Sequence, residues 1–261
     1  MVTEIIKKLI QLVIIIFLLS ISKFSSAIDA EIIWSENIGS KSKIFLNRYH
    51  TGVWDAPDLI VESEKLSLLP SVGSDGEGNQ VALWVEIQND GKSKLKYSFL
   101  KNKGWNHPLF IPEQQNENLA PVVVYDSFKH PIIFWSSNDG ENDDDIFMTR
   151  WSSKGWETPR IIHEENNVPD ILPEAGMDEA NRIWVCWKKI NEEKVYIESC
   201  RIIFPNGETK EIKKEKIDRR LDNDIKKIEP PTFKFGKSRA TVHFPGNRIN
   251  QSITIRDNKE E

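Results

Sequence analysis

A proline, an aspartate and a tryptophan recur along this chain at fixed spacings. Three copies read Pro70, Asp75 and Trp84, then Pro121, Asp126 and Trp135, then Pro173, Asp178 and Trp187. Proline to aspartate is 5 positions and aspartate to tryptophan is 9 in each copy. A second mark keeps the same step: Gly52-Val53-Trp54, then Gly104-Trp105 and Gly155-Trp156, each tryptophan followed three residues later by Pro57, Pro108 or Pro159. Self-similarity with a period of this length belongs to arrays and propellers, in which each copy is one supersecondary unit that buries its faces against its neighbours.

Within a copy the strand signals dominate. From Pro121 the chain reads as four short apolar runs, residues 121–125, 131–135, 146–151 and 156–162, with turn residues between them. Short β-branched and aromatic runs with turns every 8–12 residues describe an antiparallel all-β unit. The copy from Pro70 repeats the pattern. The copy from Pro173 keeps it through three strands, then places Gly207-Glu208-Thr209 where Gly-Trp belongs. Residues 32–61 supply strands two to four of an earlier copy, and residues 231–255 supply strands one to three of a worn final one. The expected fold is therefore all-β, a β-propeller of about five four-stranded antiparallel blades with a 51–52-residue repeat and partial end blades. The copies run at about 31–69, 70–120, 121–172, 173–229 and 230–261, in one domain from residue 28 to 261. Between the last two, Ile217, Leu221, Ile225 and Ile228 stand at helical spacing in a charged stretch. A short surface helix and a solvated linker are both open there. The prolines suit strand starts, where no ladder N–H is lost, and the tryptophans suit packing between blades.

The first 27 residues read as a secretory signal peptide. Lys7 and Lys8 precede an apolar run from Leu9 to Leu19, and Ser25-Ser26-Ala27 offers small residues for cleavage. Secretion or delivery to a periplasm is the expectation, with an uncleaved anchor as the alternative. The formal net charge of −5 becomes −7 without this segment, an acidic balance that argues against nucleic acid or an anionic membrane as partner. The two cysteines, Cys186 and Cys200, fit no metal or redox spacing. A hairpin centred near Glu193 sets them opposite one another. They take the slots of Phe134 and Trp151 one copy earlier, so two buried thiols are expected, while export leaves a disulfide open.

The proline, aspartate and tryptophan spacing with its Gly-Trp turn resembles the BNR or sialidase-like repeats of exported bacterial β-propellers, over about residues 31–212. The resemblance implies the propeller fold. The family's Asp-box, Ser-x-Asp-x-Gly-x-x-Trp, is degenerate here. Its nearest stretches, Ser98 to Trp105 and Thr149 to Trp156, have glycine directly before tryptophan and no aspartate in the turn. Sialidases of the family grip a carboxylate with three arginines and use a Tyr–Glu pair with an Asp acid/base. No arginine recurs at one repeat position, so no catalytic role carries over to a numbered residue.

Candidate site residues follow from the same logic. Asp75, Asp126 and Asp178 share one turn position. A catalytic pair needs two different environments, so these read as structural turn acids. Asp139 to Asp145 is the densest oxygen cluster. It lacks the alternation of an EF-hand and reads as a solvated turn rather than a calcium loop. The five histidines lie in unrelated slots, and no cofactor or metal is expected. In a propeller the connections between blades (62–69, 112–120, 163–172) and the loops joining strands two and three (88–94, 136–145, 188–194) share one face, and loops on a rigid scaffold carry binding. On that face the expected ligand residues are Asn116, Asn118, Asn138, Asp139, Asn166 and Asn167. The expected function is an exported, non-catalytic binding module for a glycan or a protein. A divergent sialidase-like glycoside hydrolase and a self-associating structural propeller, a homo-oligomer built through its open edges, are the alternatives.

Overall fold

The computed structural model describes residues 30–101, 104–115, 117–138, 143–164, 166–178, 180–190, 196–212, 238–243 and 251–255. The signal segment and the possible helix at 217–228 lie outside them. The described residues are all strand and turn, with no helix among them and hence none long and apolar enough to cross a membrane.

Four antiparallel sheets follow one another along the chain. The first holds β1 (Ala30–Ile38), β2 (Lys41–His50), β3 (Val53–Trp54) and β4 (Asp58–Ser63). The second holds β5 (Ser67–Ser74), β6 (Gln80–Ile87), β7 (Ser93–Lys101), β8 (Gly104–Trp105) and β9 (Leu109–Phe110). The third holds β10 (Glu117–Tyr125), β11 (Pro131–Asn138), β12 (Asp145–Ser152), β13 (Gly155–Trp156) and β14 (Arg160–Ile161). The fourth holds β15 (Asp170–Met177), β16 (Ile183–Ile190), β17 (Tyr196–Ile203) and β18 (Thr209–Ile212). The fourth strand of each of the first three sheets is broken in two where Pro57, Pro108 or Pro159 interrupts it, because proline has no N–H to give the ladder. The fourth sheet lacks that proline, and β18 is a single piece.

The chain then returns to its beginning. β19 (Ser238–His243) pairs with β1, and β20 (Gln251–Ile255) pairs with β19. Thr241 lies opposite Ile33 as Ser71 lies opposite Leu83 and Val122 opposite Phe134. The last copy thus supplies the first strand that the earliest copy lacks, and the two partial ends share one sheet.

Successive sheets stack face to face, as blades do. The clusters between them alternate along the chain: Ile33, Leu46, Val72 and Trp84, then Leu83, Tyr97, Val123 and Trp135, then Phe134, Met148, Val185 and Trp187. Each repeat tryptophan is buried against the preceding sheet. Trp34 on β1 opposes Phe45 as Trp135 opposes Phe147, so it is a fourth member of the set.

The structure moves the prolines from strand starts to bulges. β5 and β15 begin three residues before Pro70 and Pro173, β10 begins four before Pro121, and their registers shift at those prolines. The residue before each proline has positive φ: Leu69 at 51°, Ala120 at 47° and Leu172 at 55°. A bulge leaves one residue unpaired, which is where a strand tolerates proline.

The cysteines are also corrected. Cys186 and Cys200 are opposite one another, as the hairpin predicts, but they form a disulfide rather than two thiols. Their Cα atoms are 4.1 Å apart, the close approach of a non-hydrogen-bonded pair, which generic cross-strand spacing overestimates. Cys200 occupies the slot of Met148, not Trp151, because the preceding hairpin loop has the same length.

Candidate functional site

The recurring turn acids show how the scaffold uses carboxylates. Asp75 Oδ1 accepts from the backbone N–H groups of Glu77 and Asn79 at 2.7 and 3.1 Å. Asp126 Oδ1 accepts from Phe128 and His130 at 2.8 and 2.9 Å. Asp178 Oδ1 accepts from Ala180 and Arg182, both at 2.9 Å. One arrangement in three copies is turn chemistry.

A second repeated device locks each sheet to the next at the opposite end of the strands. The N–H of Ser67 donates to Ser42 Oγ at 2.8 Å, and the N–H of Asn118 donates to Ser93 Oγ at 2.6 Å. At the third interface the N–H of Asp170 donates to the backbone carbonyl of Asp144 at 2.7 Å. Residues 67, 118 and 170 also lie beside the repeat tryptophans. Trp135 Nε1 donates to Asn118 Oδ1 at 2.9 Å and Trp187 Nε1 to Asp170 Oδ1 at 2.5 Å. Ser67 is too short for this, and Trp84 Nε1 has no partner among the described residues.

These contacts give Asn118 a structural place. It is 0% exposed. Its Oδ1 also accepts from the Ser137 hydroxyl at 2.9 Å, and its Nδ2 donates to the carbonyls of Ser93 and Gln115 at 2.7 and 2.9 Å. All four hydrogen-bonding positions of the amide are thereby filled, so Asn118 holds Trp135 and offers nothing to a ligand.

At these locking positions the third interface differs from the other two in charge, although the first also buries the carboxylates of Glu31 and Glu86. Where the earlier copies carry Ser42 and Ser93, it carries Asp144. Where they carry Ser67 and Asn118, it carries Asp170. At the second interface Gln114 Oε1 accepts the N–H of Leu95 at 2.5 Å. At the third, His163 Nε2 accepts the N–H of Ile146, the next copy's equivalent, at 3.0 Å. Burial lifts the Asp144 carboxyl above the ordinary range, with Glu117 and Asp143 adding to the effect. Asp170 is 1% exposed and also accepts from Asn166 Nδ2 at 2.8 Å. His163 is stacked on Trp187 with ring centroids 5.5 Å apart.

Asp145, His163 and Asp170 offer three metal-ligating atoms within 4.8 Å of one another. The nitrogen among them is already occupied by the N–H of Ile146. Calcium also takes 6–8 oxygens, so this set is not a ready calcium cage. Residues 139–142 of the acidic loop lie outside the described residues, Asp139 among them, as does Asn116.

The structure thus brings together the inter-sheet loop 163–170 and the end of the 136–145 loop. Asn138 closes β11 opposite Glu117. Asn166 is half-buried, its side chain turned to Asp170, and Asn167 is exposed. Two arginines do share a repeat slot, two copies apart: Arg48 opposes Glu31 as Arg150 opposes Ile132, with Phe99 between them in sequence. Both are engaged within the scaffold. Arg48 Nε is 3.2 Å from the buried Glu31, and Arg150 Nη2 is 3.5 Å from Asp126.

No family model matches the chain, and no curated protein matches it. Among solved structures it is similar to a thermostable family-43 glycoside hydrolase at 13% identity, over 88% of this chain and 89% of that one, with a TM-score of 0.48. It is similar to an endo-arabinase from Bacteroides thetaiotaomicron at 11% identity, over 91% and 96%, with a TM-score of 0.48. Against the Hadza microbial sialidase Hz136 the values are 9%, 84%, 53% and 0.44. Likeness at this level assigns no activity.

Proposed function

We propose that this chain is an exported β-propeller that binds a glycan or a protein on the face built by its inter-sheet loops, without catalysing a reaction. In this reading its end copies close the ring by sharing one sheet. The observation that carries it is the change of chemistry at the third interface. Three positions that are neutral in earlier copies become Asp144, His163 and Asp170, near the half-buried Asn138 and Asn166 and the exposed Asn167. A repeat scaffold needs the same residue types in each copy, so polar groups peculiar to one copy are the place to look for recognition.

A glycoside hydrolase is the second reading. Oxygens of Asp145 and Asp170 lie within 4.8 Å, close to the roughly 5–5.5 Å of retaining enzymes. The burial of Asp170 and its tie to Trp187 favour binding over catalysis, since a nucleophile must reach the sugar. The experiment is a glycan array run beside a fluorogenic glycosidase panel. Binding without turnover, lost when Asn116, Asn138, Asp139, Asn166 and Asn167 are substituted together, is the expected result. Turnover abolished by Asp145→Asn would establish the hydrolase instead. Binding unaffected by the grouped substitutions would remove this face from consideration. Sedimentation of the same protein reads self-association through the open edges.

A further inference from the structure

We propose that His163 is a proton-operated latch between the third and fourth sheets. The hydrogen bonds fix its neutral form. Nδ1 lies 2.9 Å from the carbonyl oxygen of Glu164, which can only accept, so Nδ1 carries the proton. Nε2 then holds a lone pair and accepts the N–H of Ile146 at 3.0 Å. A proton added at Nε2 would set two N–H donors against each other, so that bond is lost on protonation.

The surroundings supply the other position of the switch. Nε2 is 3.6 Å from Asp145 Oδ1 on β12 and 3.7 Å from Asp170 Oδ2 on β15. A small turn of the ring converts these into charge-assisted bonds. Asp143, Asp144 and Glu117 add negative charge nearby, and Glu164 is the adjacent residue in the loop. Lys189, the cross-strand neighbour of Asp170 on β16, is the basic residue in register here, and no lysine or arginine among the described residues pairs with Asp143, Asp144 or Asp170. The imidazole side chain is 7% exposed, so its proton state is read by protein rather than solvent. The ring is stacked on Trp187.

The second copy shows what the scaffold alone requires. Gln114 accepts the equivalent N–H, from Leu95, and cannot titrate. Histidine in the third copy makes the same bond with a group that can take up a proton. The latch would displace loop 163–170 on acidification, whatever that loop binds.

The test uses the full chain, labelled with ¹⁵N, followed from about pH 8 to about pH 5. The His163 ring nitrogens report its protonation, and amide exchange at Ile146 reports the latch. The expected result is a step of about five- to tenfold in Ile146 protection, the loss of one hydrogen bond, coincident with the His163 titration. After correction for the intrinsic pH dependence of exchange, His163→Gln should show no step and keep the bond, as Gln114 does. An Ile146 amide that stays protected while His163 titrates would overturn the proposal, as would an Nε2–H tautomer at neutral pH. Both are read on the wild-type protein and do not depend on the variant folding.

Discussion

Truncating Asn118 to alanine tests whether this residue belongs to the scaffold or to a ligand. The side chain is fully buried and makes four hydrogen bonds. Its loss leaves Trp135 Nε1 unpaired inside the second interface, a desolvation cost of about 1–3 kcal/mol. The Ser93 carbonyl loses a donor, adding about 0.5–1.5 kcal/mol, whereas the Gln115 carbonyl keeps Lys94 Nζ at 2.6 Å. Ser137 escapes, because its hydroxyl also reaches the Glu117 carbonyl at 3.0 Å. Asn118→Ala should therefore lower stability by about 2–4 kcal/mol, or about 4–15 °C in Tm for a domain of this size. Urea unfolding followed by circular dichroism measures it. Repeating the substitution with Trp135→Phe, which has no indole N–H, should recover about 1–2 kcal/mol of coupling between the two sites. Asn118→Ser, the residue type of the first interface at Ser67, should fall between wild type and alanine. A variant within about 0.5 kcal/mol of wild type, or strict additivity with Trp135→Phe, would refute the assignment.

Three further outcomes are expected. Thiol counting on the denatured, unreduced protein should find no free thiol, and replacing Cys186 and Cys200 together by alanine should cost about 2–4 kcal/mol. Gly73→Ala should cost about 1–3 kcal/mol, because a Cβ there would stand 3.0 Å from Val123 Cγ1 and 3.3 Å from the Val123 carbonyl of the next sheet. Combining it with Val123→Ala should return part of the loss. Asp144 and Asp178 should answer acid with opposite signs. Asp178 is lowered: burial pushes it up, but hydrogen bonds from Trp184 and Arg182 and the Arg182 charge outweigh burial. Its contribution is present above the unfolded carboxylate range and is lost as pH falls through its folded value. Asp144 is raised, so its burdened ionised form lowers stability at neutral pH, and Asp144→Asn should raise the Tm there but not in acid. Parallel pH profiles for Asp144→Asn and Asp178→Asn would contradict both assignments.

The sequence made the repeated parts legible because repetition supplies its own control. Three aspartates in one slot announce a turn, and three tryptophans in one slot announce packing. The opposed cysteines followed from hairpin geometry. Other features had a signal that needed copies aligned outward from the prolines. A polar residue stands three positions before each, at Ser67, Asn118 and Asp170, but its identity changes in every copy and nothing marks it as a tryptophan partner. Trp34 was hidden by a hairpin one residue shorter, and the shared slot of Arg48 and Arg150 by the intervening Phe99. The bulges had no signal, since leucine and alanine do not advertise positive φ. The pairing of β19 with β1 joins segments some two hundred residues apart, which no local pattern encodes.

The departures from repetition are what connect fold to function. Ser42, Ser67, Ser93, Asn118 and Gln114 show that neutral side chains suffice at these positions of two successive interfaces, although the first also buries Glu31 and Glu86. The third performs the same locking through the Asp144 backbone carbonyl, Asp170 and His163, although a buried carboxylate such as Asp170 is costlier to hold than an amide or a hydroxyl. These positions therefore do not require charge, and a scaffold that keeps it there against its own stability implies that it serves something else. Two properties should then come apart. The triple variant Asp144→Ser, Asp170→Asn, His163→Gln, which gives the third interface the residue types of the second, should fold and melt at or above the wild-type temperature. It should lose whatever binding the glycan array finds, and its stability should no longer vary between about pH 8 and about pH 5 through this interface. Melting followed by calorimetry, with the array repeated on the same preparation, reads both. A triple variant that is markedly less stable would show the charges to be part of the lock. One that melts as expected and still binds would place recognition elsewhere on the molecule.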